Sequence, residues 1–115
     1  MRTPKQAGCG CAVRESTGRK AVAVDPGAKA KSLNRLRRIE GQVRGLQRMV
    51  EGERYCADIL TQVASVQEAL RAVGKELLRN HLRHCATEAI RHGGEEADAM
   101  YDELLALIDR HAART

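Results

Sequence analysis

From Cys56 to Ile90 the chain reads CADILTQVASVQEALRAVGKELLRNHLRHCATEAI. Cys56, Ile59, Leu60, Val63, Val66, Leu70, Val73, Leu77, Leu78, His81, Leu82, Cys85, Ala89 and Ile90 recur at steps of three and four, the period of one helix face. No proline interrupts the run. Gly74 is its one weak point, at about 1 kcal/mol relative to alanine, which a helix of this length absorbs. The spacing therefore predicts a single very long helix, ended by Gly93-Gly94. Beyond that pair, Ala97, Met100, Leu104 and Ile108 mark a short further helix.

Upstream, Leu33, Leu36, Ile39, Val43, Leu46 and Val50 form a second stripe on a medium helix that begins near Ala28, with Gly52 as its stop. Residues 1–27 mix Gly, Pro, Thr and charge without period and finish in Asp25-Pro26-Gly27, a turn signal. They read as a flexible N-terminal tail. The expected organisation is that tail followed by one all-α domain over residues 28–115, of three helices, with no strand signal and no internal repeat.

Chain length and composition then bear on assembly. The 115 residues contain no Trp and no Phe, so Leu, Val, Ile and Ala must do the packing. Three helices so equipped rarely bury enough apolar surface to offset chain entropy. A long helix with coiled-coil-like spacing wants an antiparallel neighbour, and an antiparallel four-helix bundle built from two chains is the simplest closure. No run of about 18 uncharged apolar residues suits a membrane span, and no secretory signal opens the chain, so a cytoplasmic, membrane-free protein is expected.

The net charge of +5 is unevenly spread. Residues 29–48 carry seven basic groups and one acidic group, whereas residues 49–115 carry eight basic and twelve acidic. Lys29, Lys31, Arg35, Arg37, Arg38, Arg44 and Arg48 fill the arc of the medium helix that its apolar stripe leaves open. A solvated charged face is one reading; a footprint for a polyanion is the other and the better one. Arg71, Lys75 and Arg79 on the long helix extend it. With so few aromatic residues to stack on single-stranded bases, duplex DNA is the expected partner.

Four cysteines in a reducing compartment are better read as metal ligands or reactive thiols than as disulfides. His81 and Cys85, four residues apart, lie one turn apart on a single helix face and can share one ion. Cys56 stands 25 residues earlier, roughly 37 Å away along a continuous helix, and cannot reach that ion within its own chain. In an antiparallel pair, Cys56 of the partner subunit meets His81 and Cys85, giving two symmetric sites that each cross the interface. Two thiolates and an imidazole form a soft three-donor set suited to Cu(I); structural Zn(II) wants four protein ligands and Ni(II) more N and O donors. Buried filler cysteines are the competing reading. Cys9-x-Cys11 in the tail is too closely spaced for an easy disulfide and reads either as an auxiliary soft-metal pair or as reactive thiols with no structural role, the second being the better reading. A Gly-rich phosphate loop and a nucleophile beside a base are both missing, so catalysis is not expected.

The stretch Leu33-Asn34-Arg35-Leu36-Arg37-Arg38-Ile39-Glu40-Gly41-Gln42-Val43-Arg44-Gly45-Leu46, then Tyr55-Cys56, then Asn80-His81-Leu82-Arg83-His84-Cys85, resembles the copper-sensitive operon repressors, the CsoR family. The resemblance runs from about residue 28 to the C-terminus. It implies a dimer-of-dimers homotetramer that binds promoter DNA in the apo form and releases it when Cu(I) binds across the dimer. It further implies that Tyr55 and a carboxylate of the last helix, Glu103 by alignment, connect to the metal-bound His81. Nickel-sensing relatives carry a His near the place of Val24, persulfide-sensing relatives an Asn in place of His81, and formaldehyde-sensing relatives lack the second Cys. Two other functions use the same thiols: a persulfide- or oxidation-sensing repressor linking Cys56 to Cys85, and a cytosolic copper buffer without DNA affinity.

Overall fold

The computed structural model describes residues 19–113, with the side chains of 111–113 not described. Among these residues every regular element is helical: α1 Pro26–Glu51, α2 Cys56–Asn80, a π-helical segment His81–Ala86, α3 Thr87–His92 and α4 Gly94–Ala113. None of these helices is long and apolar enough to cross a membrane. By internal contacts the chain divides into two compact units. One is Asp25–Leu78; the other gathers the described residues before Asp25 with those from Arg79 onward.

In the first unit, Pro26 occupies the first turn of α1, where its fixed φ suits a helix and its missing N–H costs nothing. α1 therefore starts two residues ahead of Ala28. Its far end closes by a Schellman arrangement: the Arg54 N–H donates to the Met49 carbonyl at 3.0 Å and the Glu53 N–H to the Val50 carbonyl at 3.0 Å. The residue in the left-handed region is Glu53, φ 54°, rather than Gly52, φ −83°. The Tyr55 carbonyl then accepts from the Asp58 and Ile59 N–H groups at 3.0 and 3.2 Å, starting α2. Ile39 and Leu46 of α1 pack with Val66, Ala69 and Val73 of α2. This core is narrow. Leu33, Leu36, Val43 and Val50 on α1 and Leu60, Leu70 and Leu77 on α2 remain exposed in the single chain.

The long helical run passes Gly74 without interruption, but it is not α-helical throughout: His81–Ala86 adopts the wider π form before α3 resumes the α pitch. Wide turns of this kind recur at functional positions in helices. Thr87 adapts the backbone to it. Its N–H donates to the His84 carbonyl, and its hydroxyl donates to the Leu82 carbonyl at 2.9 Å.

Gly93, φ 72° and ψ −171°, and Gly94, φ 58°, reverse the chain between α3 and α4. The Gly93 conformation is essentially closed to residues with a Cβ. The helix after it is longer than the sequence spacing suggested, running 20 residues. Cys85, Ala86 and Met100 form the core of this second unit, flanked by Ala21, Ala89 and Leu104.

Candidate metal centre

His81 and Cys85 both lie on the π segment and are the most completely buried large side chains, at 0% and 1% exposure. The widened turn keeps residues four apart side by side, so the imidazole and the thiol remain on one face. A buried imidazole needs hydrogen-bonding or charged company. His81 has it in Glu103 of α4: His81 Nε2 lies 3.1 Å from Glu103 Oε2. The carboxylate is itself only about a quarter exposed. Nε2 is thus the ring nitrogen that faces the carboxylate.

Two further contacts surround this pair, and neither was read from the sequence. The buried Asn80 donates from Nδ2 to the Ala23 carbonyl at 3.0 Å, and Ala21 packs against the Cys85, Ala86 and Met100 cluster. Together they fasten the chain ahead of α1 onto the segment carrying Cys85. Asn80 entered the sequence reading only as the first letter of a motif. Nothing in the local spacing signalled its burial or its contact with Ala23.

Cys56 opens α2, is a free thiol and is exposed; Tyr55 beside it is 73% exposed. Among the described residues, no three His, Cys, Asp or Glu side chains of one chain gather as a set able to hold a metal ion. Cys9 and Cys11 lie outside the described residues. His92, on the surface, sits between Glu96 (Nδ1 to Oε1, 2.7 Å) and Glu88 (Nε2 to Oε2, 3.4 Å). Its hydrogen bond to Glu96, then the negative charges of Glu96 and Glu88, hold its pKa above the ordinary histidine value.

Of the basic residues on α1, Lys29, Lys31, Arg37, Arg38, Arg44 and Arg48 are exposed and Arg35 is half-buried. Among the described residues, Arg44 alone of this group forms an ion pair, with Glu40 at 3.6 Å; Arg37 donates to Asn34 Oδ1 at 3.1 Å. On α2, Arg71, Lys75 and Arg79 are exposed, and Arg71 pairs with Glu68 at 2.6 Å. The charge on α1 is thus mostly uncompensated by its own helix.

Residues 28–110 match the family of metal-sensitive transcriptional repressors. The chain belongs to that family. The repressor is 53% identical, over 66% of its length and 79% of the relative's, to the copper-sensing transcriptional repressor RicR of Mycobacterium tuberculosis. It is 57% identical to the copper-sensing transcriptional repressor CsoR of Bacillus subtilis, over 56% of its length and 64% of that protein's. Among solved structures, the copper-sensing repressor CsoR with Cu(I) from Geobacillus thermodenitrificans superposes with a TM-score of 0.70 at 44% identity, over 79% of this chain and 93% of the other. A variant of the formaldehyde-responsive regulator FrmR from Salmonella enterica serovar Typhimurium gives 0.61 at 29% identity, over 77% and 99%. The family's role is repression of transcription in response to metal, not catalysis.

Proposed function

We propose that this repressor is Cu(I)-responsive. In the metal-free form it holds duplex promoter DNA in the cytoplasm, and it lets go when Cu(I) is bound across a dimer by His81, Cys85 and Cys56 of the partner subunit. The observation that carries the reading is the buried His81–Cys85 pair on a π segment, with Glu103 at 3.1 Å from the imidazole. Thiolate and imidazole donors shielded from water suit a soft, low-coordinate ion, and the fully buried thiol is poorly placed for a hydrated divalent metal. Helical structure is unbroken from Cys56 to His81, so a third donor comes most simply from a second chain.

His81 is the coupling element in this reading. His81 would hold the ion together with Cys85, and Glu103, whose Oε2 lies 3.1 Å from His81 Nε2, would orient the imidazole and tie a change at the ring to α4. Tyr55, next to the third ligand, joins the same network from the partner side. The bound ion favours one shape of a homotetramer, and the exposed Lys31, Arg35, Arg37, Arg38, Arg44, Arg48, Arg71 and Lys75 match duplex phosphates only in the other.

The test is fluorescence anisotropy of the promoter duplex with reduced protein, titrated anaerobically with Cu(I), Ni(II), Zn(II), persulfide and formaldehyde in separate arms. Release by Cu(I) alone, at about one ion per chain, is expected. Release by persulfide or formaldehyde with indifference to Cu(I) overturns the reading, and an absence of salt-dependent duplex affinity would make the protein a copper buffer. Glu103→Gln should still bind Cu(I) yet lose roughly tenfold of the copper-induced drop in DNA affinity, a typical coupling energy.

A further inference from the structure

The buried pair poses an access problem. His81 and Cys85 have almost no solvent exposure, so a ligand must first displace what lies against them. Among the described residues, two elements do so. One is α4, which brings Met100 and Glu103; the other is the chain ahead of α1. Residues 19–25 carry no helix or strand, yet Ala21 packs against the cluster of Cys85, Ala86 and Met100, and the Ala23 carbonyl accepts from Asn80 Nδ2 at 3.0 Å. Asn80 is itself buried and immediately precedes His81.

We propose that residues 19–24 are a latched cover over the His81–Cys85 pair, that Asn80 is the latch, and that lifting this cover opens the pair to Cu(I), the last clause resting on the copper reading above. The ligand set decides which ion is held; the cover decides when the donors can be reached.

The segment ahead of α1, rather than α4, is the part built to move. α4 is a 20-residue helix with its backbone bonded along its length, whereas an irregular segment gives up little more than side-chain contacts when it lifts, and such segments open at the low end of the free-energy scale. Its ties are small, an alanine methyl group and a carboxamide hydrogen bond, and Val22 and Val24 beside them are exposed, so little apolar area holds the cover down. Closure also carries a cost that opening removes. Arg19 Nε is buried with no hydrogen-bond partner among the described residues, and it regains water when the segment leaves.

The experiment uses the full-length reduced chain carrying Cys9→Ser and Cys11→Ser, so that Cys56 and Cys85 are its thiols. Metal-free protein is alkylated with N-ethylmaleimide, and mass spectrometry of the two cysteine peptides gives each rate. Cys85 should react more slowly than the exposed Cys56. Ala21→Glu sets a charge against the apolar cluster from outside any helix, and Asn80→Ala removes the donor. Each should speed labelling of Cys85 roughly tenfold, the scale of one lost hydrogen bond, with Cys56 unchanged. Combined, they should do no more than the stronger one alone, because both lift the same segment. An unchanged Cys85 rate in Ala21→Glu overturns the proposal, as do additive effects; a rise at Cys56 in step with Cys85 is loosening of the whole fold and overturns it too. Stopped-flow uptake of Cu(I), supplied without oxygen as its acetonitrile complex and followed in the thiolate-to-copper ultraviolet band, should quicken in Ala21→Glu with the same end point; uptake at the parent rate removes the cover as a control of entry. Failure of the copper reading is a separate result, in which Cu(I) leaves the promoter duplex bound to the parent protein whatever the labelling rates.

Discussion

Two histidines on one continuous helical run meet opposite surroundings. His81 is withdrawn from water beside Glu103, whereas His92 stands on the surface between Glu88 and Glu96. For His92 the carboxylates favour the charged ring, raising its pKa through the Glu96 hydrogen bond first and then the charges of Glu96 and Glu88. A group whose pKa is higher folded than unfolded stabilises the fold fully below the unfolded value, about 6.5, and that contribution is lost as pH rises through the folded value. The His92 ring protons in an NMR titration should therefore show a midpoint above 6.5 that moves back towards it in Glu96→Gln. A midpoint unmoved by that substitution would remove Glu96 as the cause. At the same scale, the placement of His81 and Cys85 on one face was legible from a four-residue spacing, because both α and π turns keep such residues adjacent. The Asn80–Ala23 contact was not, since nothing in local spacing links residues 57 apart in the chain.

Helix ends show how closely sequence punctuation tracks structure and where it slips. Gly93-Gly94 reads as a break and is one, because φ 72° with ψ −171° excludes a Cβ. Gly52 also reads as a stop, yet the left-handed position falls one residue later, on Glu53, where the Schellman bonds to Met49 and Val50 place it. Glycine supplies the freedom at one position and the hydrogen-bonding register demands it at the next. Glu53→Gly should therefore stabilise the protein, by about 1 kcal/mol, and Gly93→Ala should destabilise it by about 1–3 kcal/mol; urea unfolding of both variants reads the two signs. A destabilised Glu53→Gly would mean that its side chain contributes more than its backbone costs. The π segment left no mark in the apolar spacing, because one widened turn shifts the stripe by only a fraction of a turn. Its signature is the Thr87 hydroxyl on the Leu82 carbonyl, a three-dimensional feature with no period.

At the scale of the whole molecule, the apolar stripes outnumber the partners one chain offers. Ile39, Val66 and Val73 are buried, but Leu33, Leu36, Val43, Val50, Leu60, Leu70 and Leu77 keep 40–65% of their surface in water. Covering the exposed half of such a side chain contributes about 1 kcal/mol, so seven from each of two chains amount to on the order of 10 kcal/mol or more, enough to offset a typical association cost of about 4–15 kcal/mol. The seam that would close in this way runs along the face that begins at Cys56. Leu60, one turn beyond that cysteine and 65% exposed, is the position at which a charge separates assembly from folding. A Leu60→Glu chain gains nothing to repel within its own core, yet places an unpaired carboxylate where a second copy would cover it, at a desolvation cost. Light scattering should show the oligomer falling towards single chains while far-ultraviolet circular dichroism retains helical content. If the proposed copper site is right, copper affinity should fall with it, because His81 and Cys85 lose Cys56 of the partner subunit as their third donor. If Leu60→Glu keeps the parent's mass and its affinity for Cu(I), the ion is held without that seam, and the link between assembly and sensing is lost.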